Sequence, residues 1–273
     1  MGPADRLLVT HEDDGCVLLR LNRGDAANAV DPLMTAALRE AVAWTEADPR
    51  VRVVVLGSAH PTVYCAGADL QTVATGNVAE LFPAEGGFAG FVRARRHKPW
   101  IAMVGGAALA GGLELALACD LIVASTAARF GLPETSRGLA ALAGGVQRLP
   151  VRIPAAVAMD LILSGQPIDG QRAYQVGLTS RVTEPCDLLA TSLGLARTIA
   201  GLAPGAVRDS LRAARTALHL GEQAAWELTP ALEQQRLNSD EFKEGMRAFA
   251  QRRAPVWPHE EDLRGTSGPA DSV

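Results

Sequence analysis

The sequence predicts an α/β fold whose strands are covered on both faces, followed by an all-helical C-terminal region. Three observations predict it. Short, almost continuously apolar runs at 51–56 (VRVVVL), 100–104 (WIAMV) and 121–124 (LIVA) read as strands buried on both sides. Between them lie loops and helices in the order strand, strand or loop, helix, without the strict alternation of a doubly wound sheet. From about residue 153 onward, apolar residues recur at helical spacing.

Taken in order, 16–21 (CVLLRL) is a strand that ends in the turn Asn22-Arg23-Gly24-Asp25. Asp31-Pro32 supplies an N-cap and a proline at the first helical position for a helix over 33–47, closed by Asp48-Pro49. After the strand at 51–56 a loop reaches Tyr64-Cys65-Ala66-Gly67-Ala68-Asp69-Leu70. Residues 75–90 are rich in glycine and predict a mobile loop or short helix. A helix opens at Gly111 and runs to Ala118, and Phe130 begins a short strand. Further helices are expected over 155–163, 171–176, 188–202, 206–220, 223–238 and 241–253. The division expected is a core over 1–203, a helical region over 204–258 and a polar, disordered tail over 259–273.

Composition excludes several classes. A net charge of −4 does not suit a nucleic-acid binder. Cys16, Cys65, Cys119 and Cys186 are scattered, without the spacing of a zinc site or a disulfide framework, so they read as free thiols of a cytoplasmic protein. The five histidines form no ligand pair, and no metal site is expected. No apolar run of membrane-spanning length lacks a charge or glycine break, and no signal-type segment precedes the acidic N-terminal residues. The nucleophile elbow, the P-loop and the dinucleotide fingerprint are missing from the sequence.

Two glutamates carry the chemistry. Glu114 lies in Ala110-Gly111-Gly112-Leu113-Glu114-Leu115-Ala116, and Glu134 in Phe130-Gly131-Leu132-Pro133-Glu134. A first-turn Glu complements the helix dipole, but apolar neighbours on all sides bury this one. Burial raises a carboxyl pKa toward the range useful to a neutral-pH acid or base. Glycines ahead of a helix let bare N–H groups approach developing negative charge. Asp69 reads equally as the N-cap of a short helix.

These motifs, with Leu21-Asn22-Arg23, Asn28-Ala29, Cys65-Ala66-Gly67-Ala68-Asp69-Leu70, Gly144-Gly145-Val146-Gln147-Arg148-Leu149 and Glu244-Gly245-Met246-Arg247-Ala248-Phe249, resemble the crotonase superfamily of enoyl-CoA hydratases and isomerases over about residues 5–257. The resemblance implies a spiral of ββα repeats with a helical C-terminal oligomerisation region, assembled as a homotrimer or as a hexamer of paired trimers. It implies Glu114 and Glu134 as catalytic groups, and the N–H groups of Ala68 and Gly111 as an oxyanion hole. It implies contacts to an acyl-CoA thioester from Arg23, Ala26, Asn28, Ala66, Gly67, Asp69 and Leu70, and from Phe249 and Arg252 toward a neighbouring subunit. Coenzyme A is part of the substrate, and no further cofactor, nucleic acid or membrane partner is implied. Hydration of a 2-enoyl thioester is the activity expected. A carnitinyl-CoA-type dehydratase, an enoyl-CoA isomerase and a non-catalytic acyl-CoA-binding member are the alternatives. Ala26 and Gln71 stand where lysines are common in the family, which removes two cations from the CoA site.

Overall fold

A computed structural model of the protein describes residues 5–257, and the expected tail at 259–273 lies outside them. Strands β1 (Leu7–His11) and β2 (Cys16–Leu21) form an antiparallel pair. Next come α1 (Pro32–Ala47), β3 (Val53–Ser58), β4 (Val63–Cys65) and α2 (Leu70–Ala74). The pattern repeats with β5 (Trp100–Val104), β6 (Ala107–Leu109) and α3 (Gly111–Ala118), then with β7 (Leu121–Ser125), β8 (Arg129–Gly131) and α4 (Gly145–Arg152). α5 (Ala155–Ser164), β9 (Ile168–Asp169), α6 (Gly170–Gln175), β10 (Arg181–Thr183) and α7 (Leu188–Ala200) finish the core. α8 (Pro204–Leu220), α9 (Glu222–Leu237) and α10 (Asp240–Gln251) follow.

Two sheets organise these strands. One has the order β1-β2-β3-β5-β7-β10 and the other β4-β6-β8-β9. The pairs β3–β4, β5–β6 and β7–β8 each step from the larger sheet to the smaller, so the chain winds as a spiral. All neighbours from β2 to β10 in the larger sheet are parallel.

The larger sheet is covered twice. Val17, Leu19, Val54, Leu56, Ala102 and Ile122 enter the main core. Their alternates Cys16, Leu18, Val53, Val55, Ile101 and Val123 pack with Leu193 and Ala196 of α7. Both faces are therefore dry, and the strands are apolar without alternation. α1 starts where Asp31 accepts the Met34 N–H at 2.7 Å. It ends where the buried Lys98 ammonium donates to the carbonyls of Thr45 (2.5 Å) and Asp48 (2.6 Å).

The segment at 75–90 forms short 3₁₀ turns at Val78–Leu81 and Phe88–Gly90, not an open loop. Leu81, Phe88 and Ala89 are buried, so its apolar content is spent on the core. All four cysteines are free; Cys186 alone among them is exposed. Between α7 and α8 the chain turns by 105°. From there α8, α9 and α10 pack in sequence on one another. Among the described residues no single helix is long and apolar enough to cross a membrane.

Candidate active site

The site forms where α3 meets the loop after β4. Ala110 precedes α3 at φ 51°, ψ −128°, and its carbonyl accepts the N–H of Glu114 at 3.1 Å. Close approach decides which residues fit there. A Cβ on Gly112 would lie 1.9 Å from the Cys65 carbonyl oxygen, and one on Gly67 (φ 104°) would lie 2.9 Å from the Gly111 nitrogen. Backbone thus packs on backbone, with no side chain between.

Two amides bracket that contact. Gly111 is the first residue of α3, so its N–H has no acceptor within the helix. Ala68 forms a parallel bridge with Val30, in which the Val30 N–H donates to Gly67 O (2.7 Å) and the Asp69 N–H donates to Val30 O (2.9 Å). This pattern uses the neighbours of Ala68 and turns its own N–H the other way.

Glu114 follows one turn into α3 and is 3% exposed. Burial first, and the charge of Glu134 next, push its pKa from 4.5 to about 7, against the lowering effect of the Gly145 and Ala143 amides and of Arg148. The Gly145 N–H, at the start of α4, donates to Oε1 at 2.9 Å. Glu134 sits in the 3₁₀ turn Pro133–Arg137 after β8. Burial raises its pKa too, opposed by its own backbone amide and by Arg137. Its Oε2 is buried without a hydrogen-bond partner. Two carboxyls with raised pKa values thus interact electrostatically, and a pair of this kind is suited to proton transfer on a polarised carbonyl compound.

Comparison with known proteins gives the family. Residues 11–260 match the family described as enoyl-CoA hydratase/isomerase. The chain belongs to that family. It is 38% identical to the (E)-benzylidenesuccinyl-CoA hydratase of Thauera aromatica, over 87% of this chain and 93% of that protein. It is 34% identical to the carnitinyl-CoA dehydratase of Proteus mirabilis, over 85% and 90%. Among solved structures, an enoyl-CoA hydratase from Mycobacterium tuberculosis superposes with a TM-score of 0.87 at 37% identity, covering 93% of this chain and 99% of that one. The spiral is thus the crotonase fold of these enzymes.

Within this family member the expected contact residues separate into groups. Ala66 and Leu70, on either side of Ala68, are exposed, and Ala26 is half-buried. Gly67 is buried, and its contribution is backbone packing. Three side chains expected to touch the thioester make hydrogen bonds within the protein. Asn28 is fully buried; its Oδ1 accepts the Arg23 N–H (2.7 Å), and its Nδ2 donates to Ser58 Oγ (2.8 Å) and Tyr64 O (2.9 Å). Asp69 caps α2 by accepting from Gln71 (2.8 Å) and Thr72 (3.3 Å). The Arg23 guanidinium donates to Asp69 (2.5 Å) and to Ala29 O (2.9 Å). Phe249 and Arg252 lie exposed at the end of α10, which packs on α9 and not on the glutamates.

Gly145 is the functional residue that the sequence reading passed over. Its signal was the Gly144-Gly145 pair, which only the fold brings to Glu114, 31 positions earlier. A cavity of about 1080 Å³ lies elsewhere, between α8 and the core, lined by Leu121, Arg148, Arg152, Leu211, Arg215 and Trp257, and neither glutamate reaches it.

Proposed function

We propose that the protein is an enoyl-CoA hydratase, a hydro-lyase that adds water reversibly, in syn fashion, across the 2,3 double bond of a 2-enoyl-CoA thioester. The observation that carries this reading is the pair of carboxyls, buried Glu114 and half-buried Glu134, with Glu114 poised to titrate at about 7. The amides of Ala68 and Gly111 accept the thioester oxygen as it gains charge, which makes C3 electrophilic and C2 basic. Ionised Glu114 takes a proton from water as its oxygen bonds to C3. Glu134 holds the same water through its buried Oε2 and delivers a proton to C2. Hydration needs a base and an acid at adjacent carbons, and two carboxyls in different surroundings provide both. Coenzyme A enters as part of the substrate, and no other cofactor takes part. Ala66, Leu70 and Ala26 border the thioester, and Phe249 and Arg252 extend the site of a neighbouring subunit in a trimer.

Dehydration of a 3-hydroxyacyl-CoA is the same reaction reversed, and the likeness to a carnitinyl-CoA dehydratase supports testing both directions. The deciding experiment follows the loss of conjugated-enoyl absorbance with crotonyl-CoA and with longer and branched 2-enoyl-CoAs. Hydration by the native protein, reduced about 10²-fold or more in both Glu114→Gln and Glu134→Gln, is the expected result. Thioester binding with no turnover in either direction would instead mark a binding protein.

A further inference from the structure

Arg23, a cation that the family resemblance assigns to CoA contact, is already committed. Its Nη1 donates to Asp69 Oδ2 at 2.5 Å and to Ala29 O at 2.9 Å, and its Nε lies 3.5 Å from Asp31 Oδ2. Asp31 in turn pairs with Arg6 at 2.7 Å. The four side chains keep between 10% and 16% of their exposure, and two arginines balance two aspartates. A neutral, mostly buried cluster leaves little charge to offer a phosphate.

The chain segments that this cluster joins matter more than its charge. Asp31 caps α1 and Asp69 caps α2. Between them runs the Val30–Ala68 bridge, which turns the Ala68 N–H outward. Arg23 thus spans the segment at 29–31 and the residue directly after Ala68. Burial raises the Asp69 pKa, but donation from Arg23 and from the Gln71 and Thr72 amides outweighs it and holds the carboxylate ionised. The loop holding Arg23 is fixed as well: Arg23 and Asn28 exchange hydrogen bonds, and Ala66 N–H donates to Ala27 O at 3.0 Å.

We propose that Arg23 is a positioning residue for the oxyanion site, clamping Asp69 so that the Ala68 amide faces the thioester carbonyl, and that it does not bind the CoA phosphates. This rests on the hydratase reading. A planar guanidinium can serve Ala29 O, Asp69 and Asp31 at once, whereas a lysine ammonium supplies a point charge. Misplacing such a donor by about 1 Å is enough to cost on the order of 10²-fold in rate.

The test compares native protein, Arg23→Lys and Arg23→Met on a 2-enoyl-CoA and on the matching 2-enoyl-pantetheine thioester, which lacks the nucleotide phosphates. The expected result is a kcat loss of about 10- to 100-fold in Arg23→Met, equal on both substrates, with KM changed only a few-fold and Arg23→Lys in between. The infrared carbonyl stretch of bound thioester should also shift less in the variants than in native protein. Arg23→Lys keeps the charge and serves if Arg23→Met does not fold. A KM increase confined to the CoA substrate, with kcat intact, would overturn the proposal in favour of a phosphate contact. Native kcat and carbonyl shift in both variants would overturn it equally. Absence of hydration by the native protein would instead remove the functional reading beneath it.

Discussion

The Glu114 carboxyl links function to stability. Folding raises its pKa from 4.5 to about 7, chiefly through burial. Between those pH values the native state binds more protons than the unfolded chain, so stability falls as pH rises. The contribution of the neutral carboxyl is fully present below about pH 4.5 and is lost as pH rises through about 7. The shift corresponds to on the order of 3 kcal/mol. Glu114→Gln keeps an acceptor for the Gly145 N–H and never ionises. It should therefore unfold at a higher temperature than native protein at pH 8 and at nearly the same temperature at pH 5, although it is inactive. Equal differences at both pH values would show that Glu114 carries no such burden. Hydration should itself rise with pH through about 7 as Glu114 ionises, and the apparent values will belong to the coupled pair with Glu134. A rate flat from pH 6 to 8 would contradict Glu114 as the base.

At the scale of elements, the site depends on α3 lying directly on the loop after β4. Gly112→Ala places a methyl group 1.9 Å from the Cys65 carbonyl oxygen, a backbone atom that cannot step aside. This substitution should cost about 3 kcal/mol or more, or abolish folding, as read by soluble yield and thermal unfolding. A native-like melting temperature would mean that the helix does not dock as described. The same elements show what a sequence can reveal. The strands at 53–58, 100–104 and 121–125 were legible because burial on both faces leaves them apolar throughout. β4, β6 and β8 have three residues each, too few to carry a period, and only Phe130 hinted at β8. α4 was missed because it begins on a glycine pair and contains Pro150. At the site, Glu114, Glu134 and the glycine turns were legible as motifs. The inward use of Arg23, Asn28 and Asp69 was not, because it follows from contacts between loops up to 46 positions apart.

For the whole molecule, α8, α9 and α10 present Leu218, Leu220, Trp226, Met246 and Phe249 to solvent, with Phe249 82% exposed. Burial of these side chains between subunits would fit the proposed trimer. The expected mass in solution is three or six times that of the 28.6 kDa chain. Trp226→Glu combined with Met246→Glu should lower it, as followed by light scattering. A monomeric native protein with full activity would remove the need for a neighbour at the site.

The central claim is that both carboxyls serve one addition of water to a polarised thioester. The most direct measurement is the product formed from a 2-enoyl-CoA in deuterium oxide, identified by mass spectrometry and NMR. The account predicts a 3-hydroxyacyl-CoA with one deuterium on C2, placed on the same face as the new hydroxyl. An unhydrated product with a displaced double bond would contradict it and show that the carboxyls shuttle a proton without adding water.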